Sequence, residues 1–180
     1  MPFLETANLR LRRFTLKDRR LMLVLLNDSA YISYVADRGI RTEAEAQEYI
    51  QTKILPVSHD EGYGPYVAEL KETGEAIGFC GLFRREGHPT PDIGYAVLPG
   101  FRGRGYSFEA SRALADYARD VLLLEGLNGF TAPENGASIR VLQKLGMQQR
   151  RIFQMEGYKG DTAEYFVAFP KPSQLEPTAD

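Results

Sequence analysis

The segment that most constrains this chain is Gly100-Phe101-Arg102-Gly103-Arg104-Gly105, which joins an apolar run ending at Leu98 to a helix-patterned stretch beginning near Ser107. Glycines let a turn point its backbone N–H groups outward with no Cβ in the way. The helix that follows adds partial positive charge at its N-terminus, so the junction suits an anion. Arg102 and Arg104 bring full charges of the kind that pair with phosphate oxygens. Two nucleotide-binding patterns fail here. No Gly-Lys-Ser/Thr ending is present, and Gly103-x-Gly105-x-x-Phe108 lacks a third glycine. Taken alone, the turn is either a flexible connection or the cradle of a phosphate-bearing ligand.

The rest of the chain narrows the classes of function around that turn. A length of 180 residues predicts one domain, over residues 1–170, with a frayed tail over 171–180 where the sequence turns polar and proline-bearing. One cysteine can form neither an internal disulfide nor a cysteine-rich zinc site. His59 and His88 stand far apart, so no metal centre is expected. A formal net charge of −2 argues against a nucleic-acid partner. The apolar run Leu21–Leu26 is far short of the ~20 residues needed to span a bilayer, and no basic leader precedes it. No membrane association and a cytoplasmic location are therefore expected.

Hydrophobic spacing supplies the elements. Leu9 and Leu11 alternate with arginines in a short strand. Thr15 and Asp18 resemble a capping box for a helix that ends at Asn27-Asp28-Ser29, and Thr42 and Glu45 open a second helix that Pro56 stops. Residues 66–70 and 76–83 read as a hairpin joined through Thr73-Gly74. A loop holding His88, Pro89 and Pro91 leads to a strand over 92–98, and a helix over 107–124 follows the glycine turn. A strand over 127–132, a helix capped by Asn135 and closed by Gly146, and strands over 147–155 and 163–169 complete the chain. The layout is mixed α/β (α+β), with one mostly antiparallel sheet flanked by helices.

The residues around the turn carry more than an anion signal. Arg102-Gly103-Arg104-Gly105-Tyr106-Ser107 resembles the Arg/Gln-x-x-Gly-x-Gly/Ala acyl-CoA signature of the GCN5-related N-acetyltransferases, with Ser107 in place of the small final residue. Asp92-Ile93-Gly94-Tyr95 before it and Glu109-Ala110 after it are similar to the branch of that family acting on ribosomal-protein N-termini. Asn135-x-x-Ser138-Ile139-Arg140-Val141-Leu142-x-Lys144-Leu145-Gly146-Met147 resembles that branch's second motif. The resemblance covers about residues 7–170.

This resemblance implies a sheet of about six or seven strands and about four helices, with acetyl-CoA in a V where two parallel strands splay. It assigns the pyrophosphate to the backbone of Arg102, Gly103, Arg104, Gly105, Tyr106 and Ser107. The pantetheine arm falls to the strand edge at Ala96, Val97 and Leu98, where an N–H could also face the developing oxyanion. Asn135 is a helix cap that can also contact CoA, and Ser138 is the implied acid for the departing thiolate. Tyr165 and Tyr158 are the alternatives, since a phenol can protonate a thiolate. The carboxylate that often follows the second motif is absent, because Gln148-Gln149-Arg150-Arg151 stands there. Asp92 is the candidate base, Glu69 a weaker one, and Tyr31, Tyr34 and Arg38 are candidate acceptor contacts on a loop.

Two functions follow. One is direct acetyl transfer from acetyl-CoA to a primary amine in a ternary complex, since Cys80 has no basic neighbour to activate it. The other is a non-catalytic acyl-CoA sensor.

Overall fold

The period-two segments pair into one open sheet of eight strands, in the order β1-β2-β3-β4-β5-β6-β8-β7. The computed structural model describes residues 3–57 and 62–170; His59 and the expected tail over 171–180 lie outside them. In chain order the strands are β1 (Leu4–Glu5), β2 (Leu9–Arg13), β3 (Gly64–Leu70), β4 (Ala76–Arg85), β5 (His88–Val97), β6 (Gly126–Thr131), β7 (Gln148–Gln154) and β8 (Asp161–Ala168). The helices are α1 (Arg19–Leu26), α2 (Ser29–Tyr34), α3 (Glu43–Tyr49), α4 (Tyr106–Asp120) and α5 (Gly136–Lys144). No described helix is long and apolar enough to cross a membrane.

Side chains on one sheet face, including Tyr66, Ala68 and Leu82, pack against Leu114 of α4 and Leu142 of α5. Val67, pointing the other way, packs with Met22 and Leu25 of α1 and Ala46 of α3. The strand alternation thus feeds two apolar layers. Both predicted capping boxes are present: Asp18 accepts from the Thr15 N–H and hydroxyl, and Glu45 accepts from the same two groups of Thr42.

Four sequence expectations change. The sheet has eight strands rather than six or seven, because the two-residue β1 is too short to carry a pattern. Asn27-Asp28-Ser29 closes α1 but also opens α2, with the Asp28 carboxylate accepting from the Ala30 and Tyr31 N–H groups at 3.1 Å. Tyr31 and Tyr34 therefore lie on a helix, not a loop, and the α-helices among the described residues number five. The expected loop at His88, Pro89 and Pro91 is the start of β5. Both prolines sit where a missing N–H would face away from β4, on the side where pairing to β6 begins only at Asp92. Finally, α4 stops at Asp120 rather than Leu124, and Val121 is exposed rather than part of the buried stripe.

The feature that positions the site is the parallel pair. β5 and β6 pair at Asp92↔Asn128 and Ile93↔Gly129 and no further. β5 stays on β4 through Val97, while β6 stays on β8 through Thr131, so the two diverge. At Gly129 an added Cβ would meet Leu142 Cδ2 at 2.5 Å, so a side chain here would have to displace the end of the leucine that seats α5 on β6 at the root of this opening.

Candidate active site

The opening between β5 and β6 leaves backbone groups of β5 without a strand partner. The Leu98 N–H donates to the Ile77 carbonyl at 2.8 Å, and the Leu98 carbonyl accepts from Phe101 N–H at 2.9 Å. Leu98 is therefore corrected out of the expected ligand edge, since both of its backbone groups are spent inside the fold. Strand alternation then sends the N–H groups of Tyr95 and Val97 toward the open side. Ala96 and Val97 both line the cavity that begins there.

That cavity, of about 520 Å³, runs from the β5 edge past Gly103, Gly105 and Ser107 to the start of α5. Gly103 and Gly105 hold φ of +75° and +86°, the left-handed region that other residues enter only with strain. Nothing lies within 4 Å of where their Cβ atoms would be, so the glycines keep clear the space in front of α4. The N-termini of α4 and α5 both open on this cavity, and their first-turn N–H groups have no partner within the helix. Tyr106, Asn135 and Ser138 line it. The Asn135 side chain accepts from Ser138 N–H at 3.1 Å, so Asn135 is both a cap and part of the wall.

The two arginines of the turn are disposed differently. Arg102 donates through Nε to the Val97 carbonyl at 3.1 Å and through its terminal nitrogen to Asp28 at 2.6 Å. Its guanidinium thus ties the strand end to the cap of α2. Arg104 is exposed, with its guanidinium 5.6 Å from the centre of the Phe101 ring.

A second cavity, of about 290 Å³, lies beyond Ser138 and shares Tyr31, Tyr34, Val35, Tyr95, Asn135 and Ser138 with the first. At the junction the hydroxyls of Tyr95 and Ser138 are 3.0 Å apart, and the Tyr95 hydroxyl lies 3.2 Å from the Ser138 carbonyl, to which it donates. Burial pushes the Tyr95 phenol above its ordinary value, and the bond to Ser138 only partly opposes this. Sequence reasoning missed this partner, since a tyrosine in a strand reads simply as a good strand former. Its signals were its place in the Asp92-Ile93-Gly94-Tyr95 segment and its position two residues before Val97, hence on the same face.

Arg38, Tyr49, Phe83, Arg85, Phe130 and Tyr158 complete much of the second wall. The β7–β8 turn carrying Tyr158 is held over it by a bond from Lys159 N–H to the Val35 carbonyl at 2.9 Å. Asp92 is buried and lines neither cavity; its oxygens accept from Arg85 Nε at 2.6 Å and a terminal nitrogen at 3.0 Å. Burial raises its pKa, and the Arg85 charge pulls the other way without cancelling the shift. The structure does not bring Tyr165 to the site. It is buried on β8, donates to Gln149 Oε1 at 3.1 Å and lines neither cavity. Glu69 bonds Arg12 at 2.8 Å, away from both cavities. Cys80 is buried and its thiol is pushed up to about 12 by burial, so it is no nucleophile.

Comparison with known proteins agrees with this architecture. The model of the acetyltransferase (GNAT) domain matches residues 8–148. The chain is 32% identical over 149 residues to the Bacillus subtilis (strain 168) protein YkkB, covering 80% of this chain and 84% of that one. It is 26% identical over 167 residues to the N-acetyltransferase YnaD of the same organism, covering 92% and 95%. Among solved structures, RimL, the ribosomal L7/L12 α-N-protein acetyltransferase in complex with coenzyme A, superposes with a TM-score of 0.75 at 20% identity, covering 94% and 98%. With the glycine turn, the splayed strands and the whole second motif inside the matched segment, this chain belongs to the GNAT family of acetyltransferases.

Proposed function

We propose that this protein transfers an acetyl group directly from acetyl-CoA to a primary amine, on a protein N-terminus or a small molecule, with both substrates bound at once. One observation carries the reading: two cavities of different character meet at a pair of hydroxyl groups, Tyr95 and Ser138. The first fits the cosubstrate. Its glycine turn and two helix N-termini suit a pyrophosphate, and the Tyr95 and Val97 N–H groups on the open side of β5 suit the amide-bearing pantetheine arm. RimL, which shares this fold, holds coenzyme A. The single thiol and the lack of a spanning helix among the described residues agree with a cytoplasmic enzyme.

The chemistry then divides among this chain's own groups. The amine nitrogen attacks the thioester carbon as the carbonyl π pair moves onto oxygen, and the Val97 N–H faces the charge that develops there. Collapse of the adduct breaks the C–S bond. Ser138, backed by the Tyr95 hydroxyl, gives a proton to the leaving sulfur and is reprotonated by the proton that the adduct's ammonium nitrogen sheds as the amide forms. No carboxylate of the described residues lines the acceptor cavity. The amine therefore loses its proton to solvent before attack, and turnover should rise with pH until the amine itself is deprotonated. Because Tyr95 titrates above the ordinary tyrosine value, near 10, no alkaline fall in kcat is expected up to about pH 10.

Thiol release from acetyl-CoA across a panel of amines tests the reading. Ser138→Ala and Tyr95→Phe should each lower kcat by about 100-fold, and the double variant should fall little further, since the two hydroxyls act as a unit. Calorimetric binding of CoA with no turnover on any amine, and no effect of Ser138→Ala, would instead select the acyl-CoA sensor.

A further inference from the structure

The acceptor cavity carries charge of one sign. Arg38 and Arg85 line it, and no Asp or Glu of the described residues does. Arg85 is compensated, because its guanidinium forks onto Asp92 behind the wall. Arg38 differs. It is exposed at the cavity's edge, no Asp or Glu of the described residues forms an ion pair with it, and the groups near it include the hydroxyls of Tyr31, Tyr49 and Tyr158. Much of the remaining wall is aromatic, including Phe79 and Phe130.

A guanidinium in these surroundings attracts an anion and repels a second ammonium. Its planar fork matches a carboxylate better than any neutral group. A polyamine would bring an extra ammonium beside Arg38 with nothing to pair it. An amine that also bears a carboxylate would have a partner for that carboxylate and an apolar surface for its body.

Resting on the transferase reading above, we propose that the acceptor is a small primary amine that carries a carboxylate, of the class of α-amino acids with apolar side chains. Arg38 holds the carboxylate and the aromatic wall takes the side chain, while the amine reaches the Tyr95–Ser138 junction.

The test compares L-phenylalanine with phenethylamine, which keeps the body and the amine but lacks the carboxylate, and with spermidine. The wild-type protein should prefer L-phenylalanine in kcat/KM. The ratio of L-phenylalanine to phenethylamine should fall about tenfold or more in Arg38→Gln, a comparison in which the intrinsic reactivity of each amine cancels. Arg38→Lys should restore part of the ratio. Arg112→Gln, which breaks a surface pair with Asp116 on α4, should leave the ratio unchanged. CoA affinity measured by calorimetry should be unaltered in Arg38→Gln, since Arg38 does not line the first cavity. A wild-type preference for phenethylamine or spermidine overturns the proposal, as does an equal loss of both amines in Arg38→Gln, or transfer confined to peptide N-termini. Failure to release thiol with every amine overturns the transferase reading instead. The acceptor assignment is then decided by titrating L-phenylalanine into the CoA-bound protein, where absence of binding defeats it and binding lost in Arg38→Gln supports it.

Discussion

The two cavities that meet at Tyr95 and Ser138 are built from different materials. The first takes its shape from backbone: the turn at Gly103 and Gly105 and the starts of α4 and α5. The second takes its shape from side chains delivered by α2, α3, β4, β5, β6 and the β7–β8 turn. A backbone site is fixed by the fold and suits a constant ligand, which in the proposed function is acetyl-CoA. A side-chain site can be rewritten residue by residue while the sheet stays the same. Substitutions in the first region should therefore act on acetyl-CoA alone, and those in the second on the acceptor alone.

The largest expected effect lies in the first region. Valine at Gly105 would have to hold φ near +86° and would fill space in which nothing now lies within 4 Å. Strain of this kind costs about 1–3 kcal/mol, to which the loss of room for the ligand is added. Gly105→Val should weaken CoA binding by about 100-fold in calorimetry, with the acceptor KM at saturating acetyl-CoA within about twofold of wild type. If the acceptor KM rises as steeply as the CoA constant, the two cavities are one site and the comparison breaks.

A smaller effect is expected at Asp92, where the two regions make opposite demands on one residue. As a base, Asp92 would serve the reacting amine. In the structure both its oxygens lie on Arg85, which lines the acceptor cavity and donates to the Tyr158 hydroxyl at 3.1 Å. That arrangement makes Asp92 a positioning residue. Asp92→Asn should raise the acceptor KM about tenfold, lower kcat by less than that, and leave the pH dependence of kcat/KM where the amine sets it. A fall in kcat of about 100-fold or more, with loss of the acid limb of the profile, would return the base role to Asp92.

How much of this was legible in the sequence follows from the same division. The glycine turn was readable because its geometry and its charge are local: six adjacent residues hold both. Asn135 and Ser138 were readable because a cap and a first helical turn are local as well. Of the acceptor wall, Tyr31, Tyr34 and Arg38 were named from the sequence, but the rest was not legible, because Tyr49, Arg85, Phe130 and Tyr158 come from four distant segments and become neighbours only when the sheet closes. Leu98 and Tyr165 failed for a related reason. Which way the Leu98 amide points depends on its register with β4, and the Tyr165 hydroxyl is claimed by Gln149 of β7, a pairing no spacing rule shows.

The smallest effect concerns a contact that crosses the divide. Asp28 caps α2, whose Tyr31 and Tyr34 line both cavities, and it also accepts from Arg102 of the glycine turn at 2.6 Å. Arg102 in turn holds the Val97 carbonyl, so cofactor loop, strand edge and acceptor helix form one chain of polar contacts. Burial alone would raise the Asp28 pKa, but Arg102 and the Tyr31 and Ala30 amides outweigh it and hold the carboxyl below its ordinary value. A depressed folded pKa stabilises the protein above the unfolded value of about 3.9, and that stabilisation is lost as pH falls through the lower folded value. Asparagine keeps the cap but drops the charge. The difference in unfolding free energy between wild type and Asp28→Asn should therefore be constant near neutrality and shrink below about pH 4. At pH 7 both KM values should rise about two- to fivefold, the scale of a partly exposed ion pair. If only the acetyl-CoA constant moves, the Arg102–Asp28 pair serves the loop alone and the two regions are independent. If both move together, α2 carries the state of the cofactor loop to the acceptor wall, and the separation between backbone-built and side-chain-built sites holds for recognition but not for mechanics.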